Sequence, residues 1–431
     1  GYKDTYMIDG NFGYTGSENF KRGEQFGFFP SIAIGWVPSQ YNWVQTHMPF
    51  VSFLKIRSSY GTVGNDRIAN DRFPYLTIIN SNASAGWGGS SGLIESVVGA
   101  DNLVWEVAKK ADIGIEGKFM NNSLEFVFDL FHDERDGIFQ KRTQLPTWVG
   151  AMTMPYGNVG SMVSYGTDGN VSYTHDFKNG VSFTLRGNYT YSNNEIKNWE
   201  QPYQKYEYLS YINKPYNVLR GYKAIGLFKD ELDVRNSPAQ FGTVRPGDIK
   251  YKDITGDGKI TEDDKVPLSY SPFPRLMYGF GGEFRVKDFT LGVLFKGTGR
   301  TDFFYHNNGY GYIPFYGENI GNVLSMVKEQ KNRWTPAWYS NDPSTENPNA
   351  RFPRLSYGRN ENNDQYSSFW LGNSSYLRLQ EVTLNYNFKT TALRERLGVS
   401  SIDLQFVGSN LAVWDKVKIW DPEQANKNGY E

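Results

Sequence analysis

The stretch "VSFTLRGNYTYS" (Val181–Ser192) alternates apolar or small side chains with polar ones along its whole length. One face carries Val181, Phe183, Leu185, Gly187, Tyr189 and Tyr191, and the other carries Ser182, Thr184, Arg186, Asn188, Thr190 and Ser192. Because successive side chains of a β-strand point to opposite sides of its sheet, this period of two predicts a strand. A strand of about 10–12 residues can cross a bilayer when tilted, and it is about twice as long as most strands in soluble proteins.

The same alternation recurs along the chain, for example in Leu276–Val286 and Ala111–Phe119. It predicts about a dozen strands, near residues 3–14, 27–37, 53–63, 104–119, 123–137, 160–175, 181–192, 218–227, 276–286, 288–298, 374–388 and 401–411. In "YLRLQEVTLNYNF" (Tyr376–Phe388) the apolar positions change from odd to even numbers across Gln380 and Glu381. This change of phase predicts a β-bulge.

The connections between these strands fall into two length classes. Short turns are expected at residues 120–123, 178–180 and 286–288, whereas long segments rich in Gly, Asn, Pro and Tyr cover 63–103, 138–162, 193–275 and 299–374. Soluble domains seldom contain connections longer than about 15 residues. Outer-membrane barrels combine short turns at one end with long loops at the other. The predicted fold is therefore all-β, an antiparallel transmembrane β-barrel with long extracellular loops; a soluble β-sandwich is the weaker alternative.

Composition supports this prediction. The chain has 431 residues, a net charge of −1, no cysteine, 45 glycines and 30 tyrosines, and its mean hydropathy is −0.57. A balanced charge provides no basic surface for nucleic acid, and the lack of cysteine excludes disulfides and a thiolate nucleophile. The sequence contains no run of about 18 apolar residues, so it predicts no membrane-spanning helix. Much tyrosine with low hydropathy is typical of a barrel, in which only alternate residues face lipid.

Six segments, in this order, resemble SusC/RagA-type TonB-dependent transporters. They are "LKIRSSYGTVGN" (Leu54–Asn65), "GDIKYKDITGDGKITEDD" (Gly247–Asp264), "NRWTP" (Asn332–Pro336), "ENPNARFPRL" (Glu346–Leu355), "SSYLRLQEVTLNYNF" (Ser374–Phe388) and "VGSNLAVW" with the "DPE" that follows it (Val407–Glu423). The resemblance implies that residues 1–431 are the C-terminal part of one 22-stranded barrel. We expect the plug and the TonB-contact segment to lie outside this sequence.

The resemblance also implies a function. Members of the family import oligosaccharides or peptides across the outer membrane of Gram-negative bacteria. A SusD-like surface lipoprotein acts as a lid, and the TonB complex supplies energy. Two alternatives remain: an outer-membrane receptor or adhesin whose loops bind ligands without import, and a secreted glycan-active enzyme. The enzyme lacks a recognisable pair of catalytic carboxylates, and we predict no catalytic residue.

The segment "DITGDGKITEDD" (Asp253–Asp264) is similar to a calcium-binding loop. Small oxygen-bearing side chains at alternate positions can surround a cation, and Gly258 stands at the turn position of the template. The predicted ligands of one Ca²⁺ or Mg²⁺ are Asp253, Thr255, Asp257, Lys259 (through its carbonyl), Thr261 and Asp264. Thr255 is a weak substitute for an acidic ligand and Asp264 is shorter than the usual Glu. A turn of the same shape without metal is therefore the alternative.

Aromatic residues in the long loops are the predicted contacts to substrate or lid. They are Trp334, Trp338, Tyr339, Tyr305, Tyr310 and Tyr312. Sugar rings stack on aromatic faces, and large aromatic side chains also anchor protein partners. We prefer the lid interface for most of them. "GGSSG" (Gly88–Gly92) matches the nucleophile motif only formally, because it lies in a Gly/Ser/Asn-rich loop and not between a strand and a helix.

Overall fold

The computed structural model describes residues 1–67, 72–84, 91–100, 102–144, 154–177, 179–305, 324–391, 394–395, 398–419 and 421–424. The long strands of this part are β1 (Tyr6–Gly16), β2 (Phe26–Trp36), β3 (Val51–Asn65), β6 (Glu106–Phe119), β7 (Leu124–Lys141), β8 (Tyr156–Phe177), β9 (Val181–Asn198), β14 (Leu276–Val286), β15 (Phe289–Gly299), β18 (Tyr376–Phe388) and β19 (Ile402–Asp415). They form one 11-stranded sheet in that order. Each strand pairs antiparallel with its neighbours.

Short elements occupy the connections. The small strands are β4 (Ile78–Ser84), β5 (Ser91–Val97), β10 (Leu219–Gly221), β11 (Ala224–Leu227), β12 (Ile249–Tyr251), β13 (Val266–Ser269), β16 (Asp302–Phe304) and β17 (Leu371–Asn373). The short α-helices include α1 (Asn42–His47), α2 (Glu231–Arg235), α3 (Ser325–Lys328) and α4 (Ala337–Ser340). Within that part, no helix is long and apolar enough to cross a membrane.

The prediction of a long strand at 218–227 is wrong. This region forms β10 and β11, which pair with β13 and β12 in two separate two-stranded sheets. Its apolar residues Tyr222 and Leu227 are buried among other loop residues. They therefore do not belong to the face of a long strand.

The strand register gives the large sheet one polar face. Arg186 of β9 lies opposite Ser172 of β8 and Gly281 of β14, and the same alternation continues across the other pairs. The opposite face is apolar, and many of its large side chains are exposed, including Ile8, Phe12, Ile34, Ile113, Leu130, Leu185, Phe280, Phe284, Leu384 and Phe406. An apolar surface this extensive faces lipid in an outer-membrane barrel.

The four connections that were predicted to be long lie at one end of the sheet. β6–β7, β8–β9 and β14–β15 are joined by short turns at the other end. The long connections cover residues 66–105, 142–155, 199–275 and 300–375. The predicted bulge is also confirmed, because the pairing of β18 with β19 passes from Leu379 to Glu381 and skips Gln380.

The described parts of connections 199–275 and 300–375 pack together, and we call them the loop assembly. Its buried core contains Tyr222, Leu227, Ile249, Tyr251, Ile260, Phe303, Tyr305, Val327, Trp334, Ala350, Phe352 and Trp370, joined by Val417 from the segment after β19. Their burial relative to the unfolded chain stabilises the assembly through the hydrophobic effect.

Candidate functional site

Three of the family-like segments meet in the loop assembly around Asp248. This carboxylate is fully buried, and Arg354 lies 2.9 Å from it through Nε. The Nδ2 group of Asn363 also donates to it at 2.9 Å. Beside it, Gly247 has a φ of +84°, and a Cβ at this position would come within 2.3 Å of Trp334. Glycine is therefore required at position 247, where "GDIK" approaches "NRWTP". Asp248 joins "GDIK" to "RFPRL" through Arg354.

Two further family-like segments meet at the start of β18. Arg378 donates to both carboxylate oxygens of Asp421, at 2.6 and 2.7 Å. The Tyr376 hydroxyl donates to Glu423, which also lies 2.7 Å from the ammonium group of Lys296. Burial acts to raise the pKa of Asp421, but the Arg378 guanidinium and a backbone N–H hold this pKa below its usual value. These bonds attach the "DPE" segment to the end of the sheet that carries the loops.

The calcium-like loop is closed by its own hydrogen bonds. The Asp253 carboxylate accepts the backbone N–H of Gly258 at 2.8 Å. The buried Asp264 carboxylate accepts those of Ile254 and Thr261, both at 2.8 Å. Within the described residues, no group of three His, Cys, Asp or Glu side chains is placed to hold a metal ion. The predicted ligand set also includes hydroxyl and carbonyl oxygens, and a cation at Asp253–Asp264 stays a prediction.

The same loop is attached to the loop assembly. Ile260, at the buried position of the template, is 5% exposed and lies in the core. Its N–H donates to the carbonyl of Ala239 at 2.8 Å, and the Tyr208 hydroxyl donates to the carbonyl of Asp263 at 2.6 Å. The loop thus fixes part of connection 199–275 whether or not it binds a cation.

The structure separates the predicted aromatic contacts into two groups. Trp338 and Tyr339 are 81% and 57% exposed, whereas Trp334 and Tyr305 are 6% and 8% exposed. Tyr305 packs against Phe303, so the structure assigns it to packing and not to a contact surface. Tyr310 and Tyr312 lie outside the described residues.

Trp338 and Tyr339 lie at an open cleft of about 620 Å³. Trp334 forms part of its wall, and four cationic residues also line it: Lys229, Arg245, Arg333 and Arg354. Sequence reasoning missed these cations. Arg333 precedes Trp334 in "NRWTP" and could have been considered with it, but Lys229 and Arg245 are far away in the sequence and carry no local signal.

Comparison with known proteins shows which proteins the chain resembles. No family model matches it. It is 26% identical to TonB-dependent receptor P26 of Formosa agariphila over 445 aligned positions, covering 99% of this chain and 42% of that protein. It is 22% identical to TonB-dependent receptor SusC of Bacteroides thetaiotaomicron over 391 positions, covering 89% of this chain and 36% of that protein. The solved RagAB peptide transporter superposes with a TM-score of 0.75 at 19% identity, covering 98% of this chain and 43% of that one. Over nearly its whole length, the chain resembles the barrel portion of SusC/RagA-type TonB-dependent transporters.

The likeness to these structures supports the all-β fold expected from the sequence. A second RagAB structure, in the closed-closed state, superposes with a TM-score of 0.71 at 20% identity, covering 97% of this chain and 43% of that one. The chain spans about two fifths of the length of P26, at 42%. The curated relatives are receptors by name, and RagAB is a peptide transporter by name. The family expectation drawn from the six segments is confirmed.

Proposed function

We propose that this barrel portion belongs to an outer-membrane importer of oligosaccharides or peptides. A SusD-like surface lipoprotein closes over its long loops, and the TonB complex supplies the energy for import. The protein acts by opening and closing, not by catalysis. The polar face of the sheet carries this proposal, because it offers hydrophilic cargo a surface that continues through an apolar membrane.

The loop assembly is the feature that favours a lid at one end of the sheet. It has its own buried core, so it presents a shaped surface to a partner. Exposed aromatic residues on this surface, including Trp338 and Tyr357 at 81% and 94% exposure, are suited to anchoring a protein. The same aromatics are the specific reason to keep the second candidate, a receptor or adhesin that binds ligands with its loops and does not import them.

Copurification tests the proposal. The full-length protein should be extracted from outer membranes in mild detergent, and the chains that copurify with it should be identified by mass spectrometry. Stoichiometric recovery of a surface lipoprotein is the expected result. The protein is purified through an affinity tag, and the control is the same purification from cells that express an untagged copy. Recovery of the barrel alone would favour the receptor, and recovery only from the soluble fraction would contradict a membrane role.

A further inference from the structure

The cleft beside Trp338 contains a buried cation without a carboxylate partner. Arg333 is 8% exposed, and its guanidinium donates to the carbonyl of Val327 at 3.0 Å and the hydroxyl of Thr335 at 2.8 Å. No carboxylate of the described chain lies within ion-pair distance of it. Burial lowers the pKa of Arg333, and Tyr339 acts in the opposite direction. Buried charges in proteins are usually paired, so a guanidinium in a cleft wall that has no carboxylate partner among the described residues is suited to bind an anion.

Two exposed cations line the same cleft. Neither Lys229 nor Arg245 forms an ion pair with a described residue. Asp233, which is close enough to be influenced by Lys229, is already paired with Lys250 at 2.7 Å. Arg354 also lines the cleft, but buried Asp248 neutralises it. Three cations of the cleft, Lys229, Arg245 and Arg333, therefore have no ion-pair partner among the described residues.

The carboxylates of the cleft are largely committed to backbone groups. Asp230 accepts the N–H of Asp233 at 2.8 Å and Glu346 accepts the N–H of Ala337 at 2.7 Å. Glu231 is exposed at the rim. These carboxylates keep their charges, so the cleft favours an anionic ligand beside Arg333, which has no carboxylate within ion-pair distance among the described residues.

The aromatic wall offers a flat surface next to these cations. The Trp338 and Tyr339 rings lie 5.9 Å apart and nearly perpendicular, at 85°. The buried indole N–H of Trp334 has no acceptor among the described residues. The cleft volume of about 620 Å³ lies within the range of small-ligand sites, about 300–1,000 Å³. The cleft can therefore hold a ring and an attached charged group together.

We propose that this cleft binds a uronic-acid residue of an oligosaccharide. The carboxylate of the sugar lies among Arg333, Arg245 and Lys229, and the C–H face of its ring packs on Trp338. A uronic acid carries its carboxylate directly on a rigid ring with an apolar face, whereas an acidic peptide side chain carries it on a flexible chain. This assignment rests on the proposed function, because it specifies the cargo class of the importer.

Binding of three matched probes tests the assignment. Tetragalacturonate, its carboxyl-reduced neutral counterpart galactotetraose, and tetraglutamate should be titrated calorimetrically into the full-length protein, purified with any lipoprotein that copurifies. We expect tetragalacturonate to bind about ten-fold more tightly than galactotetraose, because charge-assisted hydrogen bonds to a carboxylate are strong. Equal affinity for the two sugars would overturn the proposal. Tetraglutamate binding as tightly as tetragalacturonate would also overturn it, in favour of an acidic peptide.

Variants locate the site. The double variant Lys229→Gln/Arg245→Gln removes two exposed cations, so the fold should survive. We expect its affinity for tetragalacturonate to fall about ten-fold and its affinity for galactotetraose to stay unchanged. The matched control, Arg235→Gln/Lys252→Gln, removes two exposed cations of the same connection outside the cleft and should change neither affinity. Trp338→Ala should weaken both sugars, by about five-fold. If the cleft and control variants behave alike, the site assignment is wrong.

The recovery of lipoprotein in each preparation separates this proposal from the proposed function. If the lipoprotein copurifies and the two sugars bind equally, the importer remains supported and the uronic-acid assignment fails. If no lipoprotein is recovered but the cleft variants lose acid binding selectively, the cleft is an anionic-sugar site and the lidded importer fails.

Discussion

The large sheet and the loop assembly place the same kinds of side chain in opposite surroundings. Phe12 of β1 is 74% exposed, whereas Phe352 of the loop assembly is fully buried. In the sheet, apolar residues form the outer surface and polar residues line the other face. In the loop assembly, apolar residues form a core, as in a soluble protein. The comparison shows that one chain can use lipid to cover apolar side chains in one region and its own side chains in another.

The largest effect is expected from breaking the core of the loop assembly. Trp370 is 1% exposed and its indole N–H donates to the carbonyl of Asn363 at 2.7 Å. Trp370→Ala should destabilise the loop assembly by about 3–5 kcal/mol, while the sheet still assembles because its apolar face does not depend on this core. Limited proteolysis of connections 199–275 and 300–375 measures the first effect. Heat-dependent gel mobility of the barrel measures the second.

The matched control for this substitution is Trp338→Ala. This residue is 81% exposed, so its loss should change the protease resistance of the loops very little. Equal resistance of the two variants would contradict a self-supporting core, and loss of barrel assembly in Trp370→Ala would contradict the independence of the two regions.

A charge on the apolar face of the sheet should have the next largest effect. Leu185 of β9 is 55% exposed on this face. Leu185→Arg should destabilise the protein in a bilayer by about 2–4 kcal/mol, because lipid cannot solvate the charge. Asn188→Arg, on the polar face of the same strand, is the control and should cost much less. Equilibrium refolding of the full-length protein into lipid vesicles measures both, and equal costs would refute the assignment of the faces.

Acid should loosen the calcium-like loop through Asp253. Burial acts to raise the pKa of this carboxyl, but backbone N–H groups, first that of Gly258, hold it below the usual 3.8. The stabilisation that the carboxylate provides is therefore complete at a pH above the pKa of Asp253 in the unfolded chain. It is lost as the pH falls through the lower pKa of Asp253 in the folded protein. Pepsin cleavage of this loop should rise over that interval. Asp253→Asn should flatten the dependence, and an unchanged profile in this variant would exclude Asp253 as the titrating group.

Calcium should have the smallest effect. The carboxylates of Asp253 and Asp264 already accept backbone N–H groups, so a cation at the predicted ligands would add little to a loop that is already closed. We expect a chelator to increase cleavage of connection 199–275 only slightly, and Asp257→Ala to abolish this difference. Identical cleavage with and without chelator in the unsubstituted protein would remove the metal prediction.

The sheet could be predicted well because a strand with an apolar environment on one face and a polar environment on the other alternates apolar and polar residues along the sequence. The alternation in Val181–Ser192 and the change of phase at Gln380 are local signals, and both correspond to observed register. The loop assembly has no such signal. β10 and β11 pair with residues about 25–50 positions away in the sequence, and short apolar runs do not show their partners.

The candidate site was only partly predictable for the same reason. Aromatic residues in a loop can be core or contact residues, and composition does not distinguish Trp334, which is buried, from Trp338, which is exposed four positions later. The cationic side chains of the cleft come together only through folding. Asp248 holds Arg354 beside Gly247, and this contact brings distant segments of the chain to one place.

The bulge at Gln380 sets which length changes β18 can tolerate. Before it, Arg378 lies on the polar face and Leu379 on the apolar face; after it, Glu381 and Val382 follow the same alternation. The strand therefore contains one surplus residue that belongs to neither frame. Deleting a residue elsewhere in the strand would shift the following side chains to the opposite medium, whereas deleting Gln380 would keep the other β18 side chains on the faces that they already occupy. Whether this strand tolerates an insertion or a deletion therefore depends on whether the change preserves the alternation of faces, and not only on where it occurs.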